Sequence, residues 1–212
     1  MKKIYTIRKF PSGEIEKEGF WENVEPARLD ERPWKEYGYQ PACEARLVMS
    51  EKGFHLLFST EESFIRAEVT EYNGLVCADS CVEFFFAPRP EISMKYINLE
   101  MNPRGVYHCG VGEGRYDRYF PRERPEVRGW TQSGKLECTA APQRWFVRAN
   151  LTFDYLDAVF GRGDYSSGRV LRGNFYKCGD ETVHPHYCCW SGVGLPEPDY
   201  HCPDWFGELV LE

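Results

Sequence analysis

Residues 79–105 read DSCVEFFFAPRPEISMKYINLEMNPRG, and the rest of the chain is organised around them. The stretch holds two apolar, aromatic-rich runs, Val82 to Ala87 and Tyr96 to Met101, joined by a link containing Pro88 and Pro90. Proline cannot donate to a sheet ladder, so the link predicts a connection between two β-strands rather than one continuing strand. Each run carries a single carboxylate, Glu83 in the first and Glu100 in the second. An ionised group among aromatics is costly unless it meets donors, a cation or a polar ligand, or else its pKa shifts. What these two glutamates meet is therefore the functional question.

Similar short runs recur on both sides. Cys43 to Ser50 and Phe54 to Thr60 predict a hairpin turning at Glu51, Lys52 and Gly53, its nearly continuous apolar second arm marking a central strand covered on both faces. Phe64 to Glu71 alternates polar and apolar residues, which predicts a half-exposed strand. Leu136 to Ala141, Trp145 to Asn150, Val170 to Cys178 and Gly207 to Leu211 read as further strands, and Phe153 to Phe160 as a short helix closed by Gly161. Cys109 to Ser133 has no clean period and reads as a long functional loop, and Gly179 to Asp204 as a loop-rich tail. Residues 1–20 form a polar lead-in arm. The expectation is an all-β protein, a single domain over residues 1–212. Its architecture is an antiparallel β-sandwich, immunoglobulin-like or jelly-roll-like, with one short helix and long loops.

Composition narrows the function classes. Of 212 residues, 42% are hydrophobic and 16% aromatic, enough for a real core and against disorder. The net charge of -7, with no Lys/Arg block, argues against nucleic acid as a partner. No apolar run is long enough to span a bilayer, and Arg8, Lys9 and Glu14 interrupt the beginning too soon for a signal peptide. Nine cysteines, an odd count with one adjacent pair, predict reduced thiols and a cytoplasmic location; a removed leader would reopen an extracellular one.

HPHYCC, residues 184–189, offers His184, His186, Cys188 and Cys189, but without paired zinc-ligand spacing, so no metal is assigned. Strand alternation puts Arg172, Asn174 and Tyr176 on one face, where Arg172 can read hydroxyls, clamp a loop carbonyl or neutralise Glu83.

Three stretches together resemble the family 9 carbohydrate-binding modules: DSCVEFFFAP at 79–88, YINLEMNPRG at 96–105, and RGNFYKCGDE at 172–181, continuing through Trp190 to WFGEL at 205–209. The likeness runs from about Trp21 onward. It implies a β-sandwich that binds a mono- or oligosaccharide without hydrolysing it and works alongside carbohydrate enzymes such as glycoside hydrolases. It also implies an occasional structural calcium, which the scattered Asp and Glu residues do not place. By motif position Glu83 falls on the family's sugar-contacting glutamate, and Asn98 and Glu100 fall near its polar contacts. The places of the family's two sandwiching tryptophans hold Val76 and Tyr200.

The expected ligand-binding set is thus Glu83, Asn98, Glu100, Arg172, Asn174, Trp190 and Tyr200. Carboxylates accept strong hydrogen bonds from sugar hydroxyls, and aromatic rings stack on the apolar face of a pyranose. Trp190 and Tyr200 are preferred as platforms over Trp130, Trp205, Tyr116 and Tyr119 because they lie in loop-rich sequence near the motif strands. Two alternatives stay open: Glu83 and Glu100 as the acid–base pair of a glycoside-processing enzyme, and a cofactor domain with a Met or His ligand to haem. With four methionines, two of them, Met94 and Met101, inside the motif stretch 79–105, the haem reading has little support.

Overall fold

Period-2 alternation along Cys81–Ala87, strand β5, turns Val82, Phe84 and Phe86 to one side and Cys81, Glu83 and Phe85 to the other. Every one of these residues is buried, so the strand is covered on both faces. The computed structural model describes residues 2–212. The remaining strands are β1 (Ile4–Ile7), β2 (Ala27–Arg28), β3 (Ala42–Met49), β4 (Gly53–Glu62), β6 (Tyr96–Met101), β7 (Tyr107–Gly112), β8 (Glu126–Thr131), β9 (Gln143–Thr152), β10 (Val170–Cys178), β11 (Tyr187–Cys189) and β12 (Gly207–Leu211). Two α-helices, α1 (Ser12–Ile15) and α2 (Phe153–Phe160), and three short 3-10 turns complete the regular structure of the described residues.

The strands form two sheets. One runs β1-β12-β10-β5-β6-β7, with β11 added on β10, and the other runs β2-β3-β4-β9-β8. Between them lies the main core, where Phe84, Phe86 and Phe175 meet Phe54, Phe58 and Trp145. A second apolar cluster, including Phe85, Tyr96, Tyr176, Tyr200 and Phe206, covers the opposite face of the larger sheet. That outer cover is built from the tail after β10 together with earlier segments around Trp34 and Val76, and the site described below lies within it. The strands pair antiparallel except β1 with β12, where the lead-in arm joins the sheet edge in parallel; an isolated parallel bridge also links Lys9 to Met49.

The hairpin of β3 and β4 turns through Gly53, at φ 151°, and β4 is central between β3 and β9 as expected. Helix α2 is capped by the Thr152 hydroxyl, which accepts from the Tyr155 N–H, and ends at Gly161 in the left-handed region. No helix of the described residues is long and apolar enough to cross a membrane.

Three expectations change. Phe64 to Glu71 is not a strand: Phe64 sits at φ 54°, and the N–H groups of Glu68 and Val69 donate to the Asp79 carboxylate instead of a ladder partner. Leu136 to Ala141 is irregular as well. Conversely, the long stretch from Cys109 to Ser133 contains the end of β7 and all of β8. Its glycines hide the pattern because close packing demands them: a Cβ on Gly129 would lie 2.3 Å from the Pro103 carbonyl, and one on Gly110 would lie 2.7 Å from the Arg118 guanidinium.

Candidate functional site

Glu83 and Glu100 are direct partners across the β5–β6 ladder, on the outer face of the larger sheet. Tyr176 of β10 lies opposite Glu83 on the other side, and His108 of β7 lies opposite Glu100. Their placement follows from alternation alone, since Val82, Phe84, Leu99 and Met101 take the faces turned to the main core. The two glutamates thus form the floor of a cavity of about 190 Å³.

The walls come from loops. Arg115 belongs to the connection between β7 and β8, while Asp180, Tyr187, Asp199, Tyr200 and His201 belong to the tail after β10. Arg115 donates to Asp199 at 2.7 Å, which ties the two loops together. His201 is held by two donors, the Arg118 guanidinium at 2.6 Å and the Tyr96 hydroxyl at 2.9 Å, both on Nδ1. Burial, with Arg118 and Arg115 nearby, drives the His201 pKa down to about 3, so the ring is neutral and carries its proton on Nε2.

The electrostatics of the floor are unusual. Glu83 is 3% exposed, and its hydrogen bond comes from the Cys178 thiol at 2.9 Å. Among the described residues neither Glu83 nor Glu100 forms an ion pair. Burial first, and the Glu100 charge second, push the Glu83 carboxyl well above the usual carboxylate range. Burial also raises Glu100, against the opposing pull of His108 and Arg118. The two carboxyl groups thus face each other across the ladder, each accepting a hydrogen bond, Glu83 from Cys178 and Glu100 from Asn98.

Asn98 stands beside the floor rather than on it. Its amide donates to Glu100, and its oxygen accepts from the Gly110 N–H at 3.1 Å, so it orients a carboxylate. Arg172 and Asn174 share the face of Glu83 as expected, yet they serve the tail. Arg172 donates to the Phe206 and Gly207 carbonyls, and Asn174 makes reciprocal bonds with the Ser191 backbone. Trp190 lies in the main core, edge-on to Phe175 at 5.6 Å and to Tyr5 at 6.3 Å, away from the cavity. Tyr200 does line the cavity, but one face of its ring stacks on Tyr176 at 4.0 Å and its hydroxyl donates to the Lys177 and Cys188 carbonyls.

Of the expected set, the structure therefore brings Glu83, Glu100 and Tyr200 to one cavity, with Asn98 behind Glu100. Val76 is fully buried and offers no platform. Arg115, Asp180, Asp199 and His201 escaped sequence reasoning because they sit in aperiodic loops, and Tyr187 because it opens the three-residue strand β11 inside the loop-rich tail. In HPHYCC, His186 bonds to Lys177 and to the His184 carbonyl, while Cys188 and Cys189 turn to opposite faces of the sheet. These four side chains do not converge.

A two-sheet sandwich with a small polar cavity on one outer face is the architecture of a ligand-binding module. The model of carbohydrate-binding family 9 matches residues 19–211, and the chain belongs to that family. Among solved structures it is similar to a candidate carbohydrate-binding protein from Bacteroides uniformis, at 27% identity and a TM-score of 0.77 with 100% of both chains covered. It also shares its fold with a family 9 module from Caldicellulosiruptor kristjanssonii. The cellotriose complex of that module aligns at 13% identity and a TM-score of 0.65, covering 99% of this chain and 94% of that one. Its glucose complex aligns at 12% and 0.62, covering 99% and 96%. No curated protein matches the chain.

Proposed function

We propose that this chain binds carbohydrate without hydrolysing it, and that the cavity over Glu83 and Glu100 receives one sugar unit. The observation that carries the site is the pair of facing carboxyl groups, Glu83 buried and Glu100 half-buried, which form no ion pair among the described residues and open to a cavity lined also by Arg115, Asp180, Asp199 and His201. Vicinal hydroxyls supply the donors such a pair lacks, each worth about 1.5–3 kcal/mol when the acceptor is charged. At about 190 Å³ the cavity is smaller than the pockets of roughly 300–1,000 Å³ that enclose drug-sized ligands, which favours a single ring or a chain end over an internal stretch.

Charge narrows the sugar. Glu83, Glu100, Asp180 and Asp199 outnumber Arg115 in the lining, which disfavours uronic and sulfated sugars and favours neutral ones. With Val76 in place of one platform and Tyr200 already stacked, affinity here rests on hydrogen bonds more than on a ring sandwich. On this reading the protein works beside glycoside hydrolases acting on the same sugar, and its nine unpaired thiols support a reducing, cytoplasmic setting.

Isothermal titration with neutral mono- and oligosaccharides tests the reading. Binding by the wild type that Glu83→Ala abolishes is the expected result; silence across the whole panel overturns it. Turnover of aryl glycosides would instead favour an acid–base role for the two glutamates.

A further inference from the structure

Beneath the cavity floor, the Sγ atoms of Cys81 and Cys178 and a carboxylate oxygen of Glu83 all lie within 4.8 Å of one another, and all three residues are buried. Cys81 and Cys178 are direct ladder partners on β5 and β10, and Glu83 follows two residues after Cys81 on the same face. From these residues we infer that the cavity floor is a divalent transition-metal site, with zinc(II) its best-suited ion.

The donor set carries the choice of ion. Two sulfurs and one carboxylate oxygen suit zinc, a borderline ion that takes thiolate, imidazole and carboxylate together. They do not suit calcium, which takes six to eight oxygen ligands. Zinc–sulfur bonds of about 2.3 Å and zinc–oxygen bonds of about 2.0–2.2 Å place tetrahedral ligands roughly 3.5–3.8 Å apart. Movements of about an ångström bring the three atoms to that spacing. Cys178 Sγ already stands 2.9 Å from Glu83 Oε1.

The surroundings supply the remaining parts. Cys77 lines the same cavity and precedes Cys81 by four positions, the C-x₃-C spacing of paired zinc thiolates. Among the described residues only Cys81, Glu83 and Cys178 converge within 4.8 Å, so the fourth position falls to a water or a ligand hydroxyl from the cavity, or to Cys77 after a side-chain movement. A cation here also answers the electrostatic problem of the floor, since Glu83 is buried with a thiol as its hydrogen-bond donor and no ion pair among the described residues. Binding one zinc(II) replaces the protons of the Cys81 and Cys178 thiols and of the Glu83 carboxyl, releasing up to three protons, so affinity falls as pH falls.

The test uses the whole chain, reduced, chelator-treated and dialysed against zinc(II). One zinc per chain by elemental analysis is expected, and cobalt(II) in its place should show thiolate-to-metal charge transfer with the intense visible bands of tetrahedral coordination. Cys178→Ser should weaken uptake at least roughly 100-fold, since even outer partners of a metal ligand are worth 10–100-fold. Glu83→Gln, which keeps the side-chain volume, should weaken it too, and Cys138→Ser, an exposed cysteine elsewhere, should leave it unchanged. If Cys178→Ser fails to fold, the Glu83→Gln and cobalt arms still decide. Zinc uptake absent from the wild type, or equal in Cys178→Ser and wild type, overturns the proposal, as does a Cys81–Cys178 disulfide that takes up no zinc after reduction. Sugar titration of the chelator-treated protein separates the two readings: binding there supports the sugar site whatever the metal result.

Discussion

Replacing Glu83 with glutamine removes a buried charge while keeping the oxygen that accepts the Cys178 thiol, and turns an NH₂ group toward Glu100. In the metal-free protein, burial and then Glu100 hold the Glu83 carboxyl well above its ordinary value of 4.5. A carboxyl raised in this way contributes stability that is fully present below the unfolded value and is lost as pH rises through the folded one. Within that window the loss is about 1.4 kcal/mol per pH unit. Glu83→Gln has no such proton to lose, so its stability gains on the wild type as pH rises from the ordinary carboxylate value toward the raised folded one. A gain of about 1.4 kcal/mol raises Tm by roughly 3–6 °C at this chain length. Where pH is high enough to ionise Glu83, the same substitution removes a charged acceptor and should weaken sugar binding by about 1.5–3 kcal/mol, roughly 10–150-fold. Thermal unfolding of both proteins in pH steps, with calorimetric titration of the sugar the wild type binds, reads both effects. Parallel stability curves refute the uncompensated carboxyl, and unchanged affinity refutes its contact with sugar.

Other perturbations separate support from contact. Arg115→Ala should weaken sugar binding by about 1.5–3 kcal/mol yet change stability by less than about 0.5 kcal/mol, because its ion pair with Asp199 is partly exposed; equal losses in both would make it structural. Trp190→Ala should cost about 3–5 kcal/mol in denaturant unfolding with the affinity of the folded fraction intact, as expected for a core side chain. Lys177→Met should cost about 3–5 kcal/mol because it strands the buried Glu62 carboxylate; a neutral or stabilising result would show that Ser80 and Trp145 suffice for Glu62. Asp79→Ala should cost about 3 kcal/mol or more, since Asp79 accepts from Arg66, Asn102 and the N–H groups of Glu68 and Val69, with unfolding midpoints as the measure.

The paired motif strands were legible because their signal is local. Val82 to Ala87 and Tyr96 to Met101 became β5 and β6 almost residue for residue, and Val170 to Cys178 became β10. Helix α2 was equally plain, since its cap and closing glycine lie within the segment itself. Phe64 to Glu71 misled because its alternation is real while its N–H groups are claimed by Asp79, a partner ten residues or more away. Strands β7 and β8 were hidden for the opposite reason, as Gly110 and Gly129 erase the pattern where neighbouring groups crowd in. Trp190 shows the limit of reading aromatics from loop-rich sequence: being in the tail did not tell which face of the sheet it would occupy.

By itself, the sequence determined the sandwich class and the motif strands, because short apolar and aromatic runs broken by turn residues are a local pattern. Tertiary structure alone decided that Arg172 and Asn174 hold the tail, that Arg115 and His201 reach the cavity, and that Cys81 and Cys178 converge on Glu83. The first two outcomes depend on how aperiodic segments fold over one face of the sheet, and the third on the register of β5 against β10, neither of which a local pattern encodes.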